Sequence, residues 1–171
     1  AASALAVLAN GNKKNQDKVA AAGGIQPVIA ILQGNTSDKA KEEAAAALWS
    51  LANKHYENQT AVAEAGGIAP LVAVVGLDSM RAQEQAAGAL AALALDNKKN
   101  EASIAELVVT LLGSESKSSS AKAATAISRL ARAHPANQAS IAKAGGVDLL
   151  VGLLDPEEGG VRPVTDAEQP Q

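Results

Sequence analysis

The chain has 171 residues and a formal net charge of -3, and 47% of its residues are hydrophobic although only 1% are aromatic. A chain of this length can bury one core of ordinary size, which here must consist of alanine, leucine, valine and isoleucine. The charge provides no basic field for nucleic acid, and the lack of cysteine excludes disulfides and cysteine-ligated metal ions. No apolar run reaches the about 20 residues needed to span a bilayer.

Two sequence patterns recur along the chain at nearly constant spacing. The first has alanine and leucine at the i, i+3, i+4 spacing of a buried helical stripe, with central residues Leu5, Leu48, Leu90 and Ile127. The second begins at Asn15, Asn58, Asn100 and Asn137. In both patterns the copies are 43, 42 and 37 residues apart. A period of about 40 residues with three helices per unit predicts a helical solenoid.

Caps and breaks define the predicted elements of the first two repeats. A partial third helix over 1–9 ends at the Asn-Gly-Asn turn, and a Gly-Gly pair ends each first helix. Each second helix has proline in its first turn, where the missing N–H costs little. The expected elements are helices 13–22, 25–33 and 38–53, a turn at His55 to Asn58, helices 59–65 and 68–75, and a third helix that follows Asp78 or Ser79 and reaches about Leu95.

The third repeat departs from the pattern because it lacks both the Gly pair and the proline. Its first and second helices are therefore expected to fuse or to lose the bend between them. A polar loop over 113–120 follows, and Ser118, Ser119 or Ser120 is expected to cap the next helix. The fourth repeat regains the Gly pair and stops after Leu154.

These patterns, an NQxxVxxAGGIxPLV-like pair of helices followed by EAAxALxxLA, resemble the armadillo repeats of importin-α, β-catenin and plant U-box proteins. The resemblance implies an all-α fold, a right-handed α-solenoid with three helices per repeat. We assign residues 1–154 to the repeat domain and 155–171 to an acidic, disordered tail. Within the domain we expect a partial unit at 1–12, repeats at about 13–55, 56–97 and 98–134, and a partial unit at 135–154.

The resemblance also implies a binding groove along the third helices. Importin-α-like proteins place tryptophan and asparagine four residues apart on successive third helices, and Trp49 and Asn53 match that pair in full. Asn10 matches the asparagine alone, with Ala6 in the tryptophan position. The other third helices have different residues at the two positions, namely Ala91 with Leu95 and Ser128 with Arg132. One full pair disfavours a nuclear import receptor and favours more general partner binding.

Elementary chemistry supports a groove role for these side chains. An amide donates and accepts, so Asn10 and Asn53 can bind peptide backbone, while Trp49 offers a flat apolar face. Alternatively, the tryptophan fills a gap between repeats and Asn53 only caps its helix. Four further groove candidates are Glu42 and Glu84, which would add negative charge, Gly88, which fits close helix packing or the approach of a ligand backbone, and Arg132.

We therefore predict a non-catalytic scaffold that binds a protein or an extended peptide, without cofactor, metal ion or nucleic acid. His55 and His134 hold the same repeat position as asparagines, which indicates turn residues rather than metal ligands or a catalytic base. One alternative is an assembly element that stacks or forms a homodimer through apolar solenoid ends. Another is the substrate-recruiting part of a ubiquitin ligase or of a nuclear transport adaptor. The expected location is intracellular, in the cytoplasm, the nucleus or both.

Overall fold

A computed structural model describes residues 1–133 and 135–154, and these residues form eleven helices. The helices are α1 (Ala2–Ala9), α2 (Lys13–Ala21), α3 (Ile25–Gln33), α4 (Asp38–Ala52), α5 (Tyr56–Glu64), α6 (Ile68–Val75), α7 (Met80–Ala94), α8 (Lys98–Leu112), α9 (Lys117–Ala133), α10 (Pro135–Lys143) and α11 (Gly146–Gly152). The all-α prediction is confirmed. His134 and the predicted tail at 155–171 lie outside the described residues.

The long third helices pack side by side. Helix α4 lies between α1 and α7, and α7 also contacts α9. The shorter helices pack against these long ones, α2 and α3 against α4, and α5 and α6 against α7. Residues at equivalent positions of α1, α4 and α7 are therefore neighbours in space although they are about 40 residues apart in sequence.

The central stripe of α4 is buried as its periodicity predicts. Ala44, Leu48 and Leu51 have no exposed surface, and Ala47 and Ala52 beside them are equally buried. Trp49 lies next to this stripe and keeps 39% of its surface exposed. The only tryptophan of the chain is thus excluded from the core and presented at its edge.

The Gly pairs form the sharp reversals between first and second helices. Gly66 has a φ of 77°, in the left-handed region that a side chain disfavours. A Cβ on Gly67 would lie 2.7 Å from Val62 Cγ1 and 3.0 Å from the Val62 carbonyl oxygen, so the second glycine is required by close packing. Helix α8 has no such pair and runs unbroken from Lys98 to Leu112, which confirms the predicted fusion.

A repeated asparagine joins each first helix to the end of the preceding third helix. Its side-chain Nδ2 donates to a carbonyl oxygen seven residues earlier, from Asn15 to Leu8 (2.7 Å), Asn58 to Leu51 (3.0 Å), Asn100 to Leu93 (3.0 Å) and Asn137 to Leu130 (3.2 Å). The last four carbonyls of a helix have no partner within the helix. The asparagines that begin the second sequence pattern therefore satisfy these carbonyls and fix the angle between consecutive repeats.

Two predicted helix starts were wrong because the sequence analysis did not recognise the residue that caps each helix. Helix α5 begins at Tyr56 rather than at Gln59, since His55 Nδ1 accepts the backbone N–H of Asn58 (3.3 Å) and caps the helix in place of an asparagine. Helix α9 begins at Lys117, inside the predicted loop, because the hydroxyl of Ser116 accepts the N–H of Ser119 (3.3 Å).

Candidate functional site

An open groove with a volume of ≈ 340 Å³ lies beside the tryptophan. Three third helices line it, with Ala6, Val7 and Asn10 from α1, Ala46, Trp49, Ser50 and Asn53 from α4, and Gln85 from α7. The structure thus brings Asn10, Trp49 and Asn53 together, as the repeat comparison predicted. Gln85 was not among the sequence candidates, because its repeat position carries no tryptophan or asparagine in any copy.

Gly88, on α7, packs against the ring of Trp49. A Cβ built on Gly88 would lie 2.7 Å from both Cδ2 and Cε3 of Trp49 and 2.8 Å from Cζ3. Three nearly equal distances mean that the methyl group would meet the face of the ring rather than its edge. One face of the indole therefore lies against the bare backbone of Gly88, which supports the close-packing interpretation of this glycine.

The amides of the groove are available to a ligand. Asn10 and Asn53 end α1 and α4 with nearly the same backbone conformation, at φ -61° and ψ 112° and at φ -63° and ψ 111°. Their side-chain amides, and that of Gln85, make no hydrogen bond to any residue in 1–133 or 135–154. Each can donate and accept, as an extended peptide backbone requires.

The backbone beneath Asn53 is held from the neighbouring first helix. Gln16 is buried in α2, and its Nε2 donates to the carbonyl oxygens of Ser50 (2.7 Å) and Asn53 (3.2 Å). These two acceptors lie at the end of α4, where helical carbonyls lack partners. Gln16 therefore fixes the position from which the Asn53 side chain projects into the groove.

Three sequence candidates do not line this groove. Glu42 lies half-buried on α4 and pairs with Lys39 (2.7 Å), so its charge is balanced locally. Glu84 and Arg132 are exposed on α7 and α9. A binding role for these three residues stays a prediction.

His55 has a structural part in the joint between repeats. Its Nδ1 lies 3.3 Å from the backbone N of Asn58 and 3.2 Å from Glu57 Oε2, and its Nε2 lies 2.8 Å from Asp17 Oδ1. The imidazole is buried, with 3% of the residue exposed. These contacts agree with its interpretation as a turn residue that replaces asparagine.

The described residues form neither a cluster that could bind a metal ion nor a helix that could span a membrane. No group of three or more His, Cys, Asp or Glu side chains within 1–133 and 135–154 could hold a metal ion. Each helix in these ranges is too short or too polar to cross a membrane.

Comparison with known proteins identifies the repeat. Residues 12–53 match the family model of the Armadillo/beta-catenin-like repeat. The fold is similar to a crystal structure of computationally designed armadillo repeat proteins for modular peptide recognition, with a TM-score of 0.59, 25% identity, and coverage of 92% of this chain and 68% of that one. The chain therefore has the fold of armadillo repeat proteins, and residues 12–53 match one such repeat. No curated protein matches it.

Other solved armadillo-like structures agree over most of the chain. An engineered protein, a Northeast Structural Genomics Consortium target, has a TM-score of 0.64 and 30% identity, over 92% of this chain and 65% of that one. A designed armadillo repeat protein in complex with the peptide (KR)4 has a TM-score of 0.56 and 24% identity, over 91% and 67%. The chain thus spans just under two thirds of the length of the engineered protein.

Substituting Gly88 by alanine is expected to leave the armadillo fold intact while it disturbs the groove. The added methyl group must push the ring, whose other side is open, toward the groove, and alanine also favours the helix by about 1 kcal/mol. We expect shifted Trp49 emission, a melting temperature that does not fall, and about tenfold weaker binding of any groove ligand. Gly152→Ala is the matched control, because a Cβ there has no atom within 4 Å. Unchanged emission in Gly88→Ala would contradict the packing described above.

Proposed function

We propose that this chain is an interaction scaffold that binds an extended peptide segment in the groove between α1, α4 and α7. The observation that carries the proposal is the set of three unpartnered amides, on Asn10, Asn53 and Gln85, around a half-exposed tryptophan. A peptide in extended conformation leaves its N–H and C=O groups free, and an amide side chain can pair with both. The fold similarity to designed armadillo proteins for peptide recognition supports the same function.

Trp49 would contribute to peptide binding through the apolar surface that it buries rather than through hydrogen bonds. Its inner face packs on Gly88, so the outer face is presented at a fixed position without loss of side-chain freedom on binding. Aromatic side chains that become buried on binding contribute much of the binding energy at protein interfaces. The amides on either side of the ring would then set the direction and register of the bound segment.

Asn53→Ala is expected to weaken peptide binding about tenfold, because one amide that pairs with the ligand backbone is lost. The single tryptophan reports binding directly, so the protein would be titrated with basic, acidic and uncharged extended peptides while Trp49 emission is followed. Asn35→Ala serves as the control, since Asn35 is exposed in the loop between α3 and α4, away from the groove. If no peptide changes the emission, or if both variants bind alike, the groove is not the binding site.

Association between copies of the chain is a second candidate. Large apolar side chains are exposed on α1, at Val7 (75%) and Leu8 (58%), and on or just after α11, at Val147, Val151, Leu153 and Leu154. Apolar surface of this kind favours self-association. Light scattering over a range of concentrations tests this candidate, which a constant monomer mass would contradict.

A further inference from the structure

The space beside Trp49 exists because the equivalent residue on the neighbouring third helix is small. Ala6 occupies the repeat position of Trp49, as Leu5 matches Leu48. An aromatic side chain at Ala6 would fill the volume that the groove leaves open. The free face of the indole therefore borders a space that is otherwise walled by Ala6, Val7 and Ala46.

The groove is electrically neutral. None of its eight lining residues is ionisable. The nearest ionisable residues carry two positive and two negative charges: Lys54 and Glu84 are adjacent to lining residues in sequence, and Glu43 and Arg81 lie one turn before Ala46 and Gln85. The carboxylate of Glu42, two turns before Trp49 on α4, already pairs with Lys39. A ligand ammonium or guanidinium group would therefore lose water without meeting a carboxylate among the lining residues.

The polar groups that do line the groove suit neutral partners. Asn10, Ser50, Asn53 and Gln85 carry amide or hydroxyl groups, which bind other amides and carbonyls rather than select for charge. Burial against the alanines, Val7 and the indole favours an aliphatic side chain in proportion to the apolar area removed from water. The apolar and polar parts of the groove thus match the side chain and the backbone of one ligand residue.

We propose that the groove selects an extended peptide whose residue over Trp49 is uncharged and aliphatic. Gln85 supplies a third amide for the backbone of that peptide. The proposal rests on the proposed function and adds the chemical class of the ligand. A basic residue at this place is disfavoured, because the attraction of a cation to the single free face of the indole does not replace a carboxylate.

The test compares short host peptides of alternating serine and alanine that differ in one central residue: leucine, glutamine, lysine or glutamate. Binding would be followed by Trp49 emission at an ionic strength of about 0.15 M, which screens the net negative charge of the chain. We expect the leucine peptide to bind about tenfold more tightly than the lysine peptide. Equal or tighter binding of the lysine peptide would overturn the ligand class while the groove function stands. No binding of any peptide would overturn both.

A charge placed in the groove gives a second, independent measurement. Gln85→Glu introduces a carboxylate among the lining residues and is expected to shift the preference toward the lysine peptide by about tenfold. Gln26→Glu, which adds the same carboxylate on the exposed surface of α3 and outside the lining, is the control and should leave the ranking unchanged. A ranking that responds equally to Gln26→Glu and to Gln85→Glu would place the selective contact outside the groove and contradict the proposal.

Discussion

Replacing Asn100 by alanine is expected to lower the free energy of unfolding by about 3 kcal/mol. The asparagine is 2% exposed, and its Nδ2 donates to the carbonyl oxygens of Leu93 (3.0 Å) and Gln59 (3.1 Å). One side chain therefore links the end of α7 and the first helix of the preceding repeat. The substitution leaves these buried carbonyls without that donor and opens a small cavity at the joint, and both effects destabilise the fold.

Urea unfolding followed by circular dichroism measures this loss, with Asn15→Ala as the matched control. Asn15 makes the same bond to Leu8 but is only half-buried, so water can replace the lost donor, and we expect a loss below about 1 kcal/mol. Asn100→Asp should lower the free energy of unfolding at least as much as Asn100→Ala, because it turns a hydrogen-bond acceptor toward two carbonyl oxygens. Equal losses of unfolding free energy in Asn15→Ala and Asn100→Ala would show that burial does not increase the contribution of this hydrogen bond to stability.

Leu90→Ala is expected to cost about 3 to 4 kcal/mol, the largest effect among the substitutions considered. Leu90 has no exposed surface and lies at the centre of α7, which packs against α4, α6, α8 and α9. The core has no phenylalanine and consists largely of alanine, leucine, valine and isoleucine, so few flexible side chains are near enough to fill the space. Because neighbouring helices on several sides hold α7, the cavity should stay largely open.

The control for this substitution is Leu8→Ala on α1. Leu8 is 58% exposed, so the same change of side chain removes little buried area and should cost less than about 1 kcal/mol. Hydrogen exchange would add a spatial measurement, since loss of Leu90 should reduce amide protection in α7 and in the helices that contact it. If Leu90→Ala lowered the free energy of unfolding as little as Leu8→Ala does, α7 would not be central to the core.

The groove shows how much of a site can be inferred from a repeat. Comparing copies placed Trp49, Asn53 and Asn10 at equivalent positions, and the structure brings these three residues to one groove. The same comparison gave no reason to choose Gln85, whose relation to the groove depends on how α7 lies against α4. It also suggested Glu42 and Glu84 from their repeat positions alone, whereas neither residue lines the groove.

Local signals determined most helix boundaries. Gly pairs and early prolines predicted α3 and α6 with the bounds that the structure has, and the absence of a Gly pair predicted the single helix α8. These signals succeed because a glycine break or a missing N–H acts within a few residues of chain. The start of α5 was missed because an imidazole can cap a helix as an asparagine does, which depends on the orientation of the ring.

The sequence by itself determined an all-α chain of repeats, the helix that carries the tryptophan, and the side of that helix that is buried. Only the tertiary structure decided that the indole lies on Gly88 and that three unpaired amides surround it. It also showed that Asn58 and Asn100 join consecutive repeats, because their side chains donate to the carbonyl oxygens of Gln16 and Gln59 in the preceding first helices. The physical reason is the separation of the interacting residues in sequence. Periodicity and caps depend on residues close in sequence, whereas contacts between repeats depend on how helices about 40 residues apart stack.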